Sequence, residues 1–272
     1  MPKRIWTQNE IDFMVNAFNA GYMIEEIAKK LGTKRQKVSK VLTDAGLEIV
    51  KARRNNRRLI HNYFETIDSE EKAYFLGLIF TDGNVMDGGK GRSSAIRIEL
   101  SEEDEYILQQ FQYEIQSDST ISHNKRANRE NGTVRICIRS ETMAKDLSKY
   151  GIVPNKTYIT DRLPSNIPEE YIPAFIRGLI DGDGSIYSSN DAWHISFTTH
   201  FRSVAEDFER ICSGLIGKEK HLTPTEHNGV YKVTYNGKYA SELARVCYSN
   251  ATIGLFRKLR RAVEAINESK TG

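Results

Sequence analysis

The feature that most constrains this chain is an internal repeat. Residues 73–83 (AYFLGLIFTDG) and 174–184 (AFIRGLIDGDG) follow one pattern, and their last acidic residues, Asp82 and Asp183, stand 101 positions apart. Two similar segments at domain spacing imply two similar halves related by a pseudo-twofold axis. The stretch after each segment also repeats. After the first, Ile96, Ile98 and Leu100 alternate with Arg97 and Glu99, then come a helical stretch over 102–115, a second strand pair ending in 133–139, and a helix over 141–150. After the second, Trp193, Ile195 and Phe197 alternate with His194, Ser196 and Thr198, followed by a helix over 202–216, a strand over 230–235 and a helix over 238–248. The expected order is α-β-β-α-β-β-α twice, an α+β fold class with antiparallel sheets.

The repeated segments carry chemistry as well as pattern. Gly77 and Thr81 in one, Gly178 and Gly182 in the other, are small residues four apart on one helical face, which lets two helix backbones approach closely. Each helix then ends on an aspartate followed by glycine, Asp82-Gly83 and Asp183-Gly184, where glycine permits the turn that stops it. An aspartate at a helix C-terminus is disfavoured by the macrodipole, and two brought together repel unless a cation lies between them. Carboxylate and carbonyl oxygens are hard ligands, so the expected cation is Mg²⁺, with Mn²⁺ or Ca²⁺ able to substitute and phosphates completing the shell. Paired metal sites of this kind activate a water for in-line attack on phosphorus and stabilise the departing oxygen. The plainer alternative is a pair of helix-ending carboxylates with no ligand.

Both segments resemble the LAGLIDADG motif of homing endonucleases, and the two halves together span the chain from about Asp68 onward. The resemblance implies a pseudo-twofold duplicated fold, a saddle of antiparallel sheets, acting as a site-specific double-strand DNA endonuclease. It implies that Asp82 and Asp183, last in each motif, bind metal and serve catalysis. An earlier motif position that is often acidic in the family is Phe80 in the first copy and Asp181 in the second. Family members also place a basic residue near the metals, which nominates Lys156 from 151–157 and Lys258 from 250–258, with Arg257 beside it, to orient water or stabilise phosphate charge. The saddle is expected along the major groove, reading bases with Arg97, Glu99, Arg135, Arg139, His194, Ser196, Thr198, Lys232 and Thr234, together with the loop 124–129. The expected product is a staggered break with 3′ overhangs, made by a monomer on a long duplex site. Two alternatives keep the same fold: a non-cleaving transcription regulator and an RNA-splicing maturase.

The head of the chain reads differently. Residues 1–60 hold 13 Lys/Arg against 6 Asp/Glu, a local charge of +7 within an overall +3, which leaves −4 for the rest. A basic head on a slightly acidic body suggests a polyanion partner. Thr7-Gln8-Asn9-Glu10 has the form of a capping box, and Ile11, Met14, Val15 and Phe18 follow at helical spacing. A second helix is expected over 24–31 and a third over 34–45, with Gly32 at the turn, Ala28 at the crossing, and Val38 and Val41 facing inward. The pattern resembles the helix-turn-helix modules of recombinases and phage regulators, a small all-α domain. Lys34, Arg35, Lys37, Ser39 and Lys40 would then face DNA, and the following basic stretch 51–58, with Arg53, Arg54 and Arg57, would track a groove. The expected organisation is 1–50 helix-turn-helix, 51–66 basic linker, 67–165 first repeat and 166–272 second repeat.

Other chemistries find no pattern. Cys137, Cys212 and Cys247 are odd in number and far apart, which suits neither a disulfide framework nor a zinc spacing. His123, His194, His200, His221 and His227 show no paired metal spacing. No apolar run approaches a bilayer span and 1–7 lacks the apolar core of a signal peptide, so an intracellular, cytoplasmic protein with no membrane partner is expected.

Overall fold

The computed structural model describes residues 6–19, 24–47, 59–89, 92–124, 132–154, 161–219 and 221–268. The chain divides into two compact units, Met1–Arg57 and Arg58–Gly272. The first holds α1 (Gln8–Asn19), α2 (Ile24–Lys30) and α3 (Arg35–Asp44). The capping box opens α1: the Thr7 N–H donates to Glu10 Oε2 at 2.9 Å, and the Glu10 N–H reaches Thr7 Oγ1 at 3.4 Å. Between α2 and α3 the chain turns at Gly32, whose φ of +59° favours a residue without a β-carbon. Met14, Ile24, Ile27, Ala28, Val38 and Leu42 form a small buried core, with Val41 partly buried against it. Three short helices burying so few side chains leave a marginal unit.

The second unit begins earlier than the sequence pattern suggested. Leu59, Tyr63, Phe64 and Ile67 are buried in its core, so 59–66 belong to the folded body and not to a linker. The basic run before Leu59 hides this, although Leu59, Ile60, Tyr63, Phe64 and Ile67 recur four residues apart in the manner of one helical face. The first half then runs α4 (Glu70–Asp82), β1 (Gly83–Met86), β2 (Ala95–Ser101), α5 (Glu105–Glu114), β3 (Ser122–Asn124), β4 (Thr133–Arg139) and α6 (Glu141–Ser148). The second half repeats that order with α7 (Ile172–Asp183), β5 (Gly184–Ser189), β6 (Ala192–Thr199), α8 (Arg202–Leu215), β7 (Thr225–His227), β8 (Val230–Asn236) and α9 (Lys238–Tyr248), followed by α10 (Phe256–Glu268).

Each half carries one antiparallel four-stranded sheet, ordered β1-β2-β4-β3 and β5-β6-β8-β7. The α+β class and its duplication rest on these two matching sheets and their helices. In β2 the residues Ile96, Ile98 and Leu100 are buried while Arg97, Glu99 and Ser101 are not, which is the alternation of a half-covered antiparallel strand.

The two halves meet through α4 and α7. Seven successive residues of α4, from Ala73 to Ile79, are buried, the signature of a helix enclosed on every side. A β-carbon placed on Gly77 would lie 3.0 Å from Leu179 N and 3.1 Å from Gly178 Cα, and would run into the Phe175 carbonyl. A β-carbon on Gly178 would lie 2.9 Å from Leu78 N and 3.0 Å from Gly77 Cα, and would run into the Tyr74 carbonyl. These contacts exchange under the 101-residue offset, 74 with 175 and 78 with 179, so the pseudo-twofold axis passes through the glycine pair. Further along, Gly182 lies against Thr81 and Asp82. The helices therefore run in parallel and end together.

Backbone atoms crowd both glycines and have no flexible end to yield, so Gly77→Ala or Gly178→Ala should each cost about 3 kcal/mol. Gly214, in α8 with open space around its α-carbon, should instead gain about 0.5–1 kcal/mol as alanine. Denaturant titration of the three variants measures this; equal effects at all three would contradict the packing described.

Candidate functional site

The shared end of α4 and α7 presents both aspartates. The Gly83 and Gly184 N–H groups close the two helices on Ile79 O and Ile180 O, so the chain leaves each helix directly into a strand. Asp82 is half-buried, and its Oδ2 lies 2.9 Å from where a Gly182 β-carbon would stand. Asp183, the next residue, is exposed, and its carbonyl accepts from Thr198 Oγ1 at 3.0 Å. The absence of a side chain at Gly182 is thus what lets the Asp82 carboxylate approach the end of the opposite helix.

Behind this end lies a buried polar layer centred on two second-motif residues, Asp181 and Arg177. Asp181, 1 % exposed, accepts from the Tyr248 hydroxyl at 2.9 Å, the Tyr74 hydroxyl at 3.0 Å and the Leu255 N–H at 2.7 Å. Burial pushes its pKa up, and Lys258 with those three donors acts in the opposite direction. Arg177, one turn earlier, donates to the Cys247 carbonyl and to Glu70, and its guanidinium lies 5.7 Å from the Tyr74 ring. A buried charge needs its bonding capacity met, and Nη1 and Nη2 of Arg177 are engaged while its buried Nε has no hydrogen-bond partner. The layer ties the segment from Cys247 to Lys258 onto the helix pair.

Lys258 sits otherwise than a water-orienting lysine would. It is 6 % exposed, and its ammonium donates to Ile180 O at 2.6 Å, Asp181 O at 2.5 Å and Gly184 O at 3.0 Å. An ammonium has three N–H groups, and all three are committed to carbonyls at the end of α7. Lys258 neutralises the negative end of that helix. Burial lowers its pKa to about 8, although Asp181, Asp82 and Asp104 pull upward. Its neighbour Arg257 points elsewhere, into a cavity of about 540 Å³ lined by Asp82, Glu99, Asp104, Thr133 and Asp181.

The strand residues divide. Glu99 and Arg135 face each other across β2 and β4 and bond to one another, Arg135 Nε and Nη2 reaching Glu99 Oε2 at 2.9 and 2.8 Å, while Thr133 donates to Glu99 Oε1 at 3.0 Å. Arg97 is half-buried with an unpartnered, buried Nε, and Arg139 is exposed near the Ser93 carbonyl. In the second sheet His194, Thr198, Lys232 and Thr234 remain partly exposed, and His194 packs flat against Tyr187 at 4.9 Å with Nδ1 2.7 Å from Asn236 Oδ1. Ser196 is the exception: it is 3 % exposed, paired with Ser185 of β5 and Thr234 of β8, and so offers no surface to a base. In the N-terminal unit Lys34, Arg35, Lys37 and Lys40 are exposed and Ser39 is half-buried. Lys156, Arg53, Arg54, Arg57 and the loop 125–129 lie outside the described residues.

Asp104 and Tyr106 were not foreseen. Their partners, Arg257 and Phe256, are about 150 residues away in sequence, and no local period reports so distant a contact. The one available signal was the acidic run 102–105, which has the form of an ordinary solvated helix start. Among the described residues no group of three or more His, Cys, Asp or Glu side chains could hold a metal, and no helix is long and apolar enough to cross a membrane. Asp82 and Asp183 are carboxylates, hard oxygen donors of the kind Mg²⁺ takes one or two at a time while keeping several waters.

Residues 170–264 match the LAGLIDADG-like domain family. No curated protein sequence matches the chain. Among solved structures, the chain is similar to the meganuclease I-AabMI bound to uncleaved DNA, at 13% identity over 73% of this chain and 90% of that one, TM-score 0.47. Variants of the homing endonuclease I-DmoI align at 18% identity over 73% and 99%, TM-score 0.48. Full-length DUF199/WhiA from Thermatoga maritima aligns at 14% over 76% and 64%, TM-score 0.45.

The Lys258 geometry makes a signed prediction. Between pH 8 and the ordinary lysine value of 10.5, the unfolded chain holds a proton that the folded chain has released, so the burial penalty shrinks as pH rises. In chelated buffer, the stability of the native chain minus that of Lys258→Met should increase by about 3 kcal/mol from pH 8 to 10.5, at 1.36 kcal/mol per unit. A difference that stays flat, or falls, would show the ammonium to be solvated.

Proposed function

We propose that this chain is a Mg²⁺-dependent, site-specific double-strand DNA endonuclease of the homing type, with Asp82 and Asp183 as its metal ligands. The observation that carries the reading is the parallel helix pair whose closest approach is a glycine–glycine contact and whose two ends each finish in aspartate. The family match over 170–264 and the repeated element order support it. A bound divalent cation would supply Lewis acidity to the phosphate and lower the pKa of an attacking water. The chain's own part is to hold two carboxylates at one point. Gly77, Gly178 and Gly182 let the helices close, Thr81 fills the space beside Gly182, and Lys258 with the Asp181 layer fixes the end of α7.

Duplex recognition falls to the outer faces of the two sheets, with Arg97, Arg139, His194, Thr198, Lys232 and Thr234 as the side chains available to DNA. Glu99 and Arg135 are engaged with each other and would enter only by exchanging partners. In the N-terminal unit, the exposed Lys34, Arg35, Lys37 and Lys40 on α3 and its approach fit a recognition helix in a helix-turn-helix, adding contacts and lengthening the site. The protein acts as a monomer, since one chain supplies both aspartates.

Selection of bound duplexes from a random DNA library, followed by incubation with and without Mg²⁺, tests the proposal. Cleavage of both strands should require the metal, and Asp82→Asn or Asp183→Asn should each lower the rate by about 10³-fold or more while binding persists. A chain that binds duplex or intron RNA and never cuts would be the regulator or maturase instead. Replacing Lys34, Arg35, Lys37 and Lys40 with alanine should flatten the dependence of log affinity on log salt by about 0.9 for each phosphate no longer neutralised. An unchanged slope would detach the N-terminal unit from DNA binding.

A further inference from the structure

The basic residue of the site is open to reassignment, because two adjacent cations, Arg257 and Lys258, lead into quite different surroundings. Lys258 has no donor left. Arg257 is 46 % exposed on its side chain, and its Nε and Nη2 donate to a single oxygen, Asp104 Oδ2, at 3.3 and 3.2 Å, with Glu103 at 3.7 Å. A guanidinium has five N–H donors in a rigid fork, so those not aimed at Asp104 remain available to a planar anion.

The mounting of Arg257 is stiff. Asp104 is buried, which raises its pKa, while the Arg257 guanidinium beside it acts in the opposite direction. Beside it the Tyr106 and Phe256 rings stack at 4.2 Å and 10°. The Phe256 N–H donates to the Tyr106 oxygen at 2.5 Å, and the Tyr106 hydroxyl donates to the Gly254 carbonyl at 3.2 Å. This clasp bolts the start of α10, from the second half, to the start of α5, in the first. It carries Arg257 across the pseudo-twofold relation into the cavity that Asp82 also lines. The other charged groups of that cavity are carboxylates, Glu99 bonded to Arg135 and Asp104 to Arg257. A phosphate entering there needs a cation, and among the described residues of the lining Arg257 supplies one.

We propose that Arg257, and not Lys258, is the side chain that contacts the DNA phosphate nearest the first-half aspartate, with Asp104 as the residue that positions it. The assignment rests on the nuclease reading above. It makes the first-half site depend on a residue donated by the second half.

The test uses the full chain and a duplex it selects from a random library, with Ca²⁺ in place of Mg²⁺ so that binding is read without cutting. Phosphates around the centre of the duplex are replaced singly by uncharged methylphosphonate. The native protein should lose about tenfold in affinity at one position, as for the loss of a charge-assisted hydrogen bond. Arg257→Gln, which keeps the stem and can still bond Asp104, should bind the unmodified duplex about tenfold more weakly and lose less than about twofold further at that position. Lys258→Met should keep the native sensitivity there. Equal sensitivity of Arg257→Gln and the native chain at every phosphate, or loss of sensitivity in Lys258→Met with Arg257→Gln unaffected, would overturn the assignment. A native chain that selects no duplex would instead remove the nuclease reading, and this assignment with it.

Discussion

The whole arrangement depends on the contact between Gly77 and Gly178. Helices that pack through ordinary side chains keep their axes about 8–10 Å apart, and carboxylates at their ends are then separated by that distance plus whatever the side chains add. Here each glycine meets the backbone of the other helix, with the Phe175 and Tyr74 carbonyls occupying the space a methyl group would need. Reciprocal contacts fix the axis that relates the halves, and parallel direction sends both chains into their sheets from the same end. That packing, with the helix-ending glycines after them, determines where Asp82 and Asp183 stand.

Symmetry in the backbone is not matched in the side chains. Where the first motif has Leu76 and Phe80, the second has Arg177 and Asp181, both buried. Their bonds run to Glu70, Cys247, Tyr74, Tyr248 and Leu255, and so gather α4, α7, α9 and the segment before α10 into one network. Breaking such a network by removing one member strands the rest without partners, which costs more than the pair contributed. The network and the Tyr106–Phe256 clasp make the second half a support for the first. The two aspartates accordingly stand in different electrostatic surroundings, Asp82 beside a cavity with Asp104 and Arg257, Asp183 exposed at a helix end capped by Lys258.

Much of this could be read from the residues. The 101-residue repeat, the small residues at 77, 81, 178 and 182, and the strand alternation at 96–100 and 193–198 each reflect a local period that packing obeys. Other features have no local trace. Arg257 and Lys258 are consecutive cations, and only the fold decides that one caps a helix from inside while the other opens into a cavity. Ser196 falls on the outer phase of its strand and is still covered, and Glu99 and Arg135 satisfy each other because the register of β2 on β4 places them opposite. Leu59, Tyr63, Phe64 and Ile67 follow directly on a basic run and are still buried in the core. Long-range pairing, and not propensity, determines each of these.

The central claim is that one cation-binding point forms where the two motif helices end. A crystal of the chain with its selected duplex and Mn²⁺, measured at the manganese edge, addresses that point directly. The account predicts an anomalous peak at about metal–oxygen bonding distance, roughly 2.1–2.2 Å, from a carboxylate oxygen of Asp82 or Asp183 and from a DNA phosphate oxygen. Density for the duplex against another surface, or manganese bound only away from these aspartates, would contradict it.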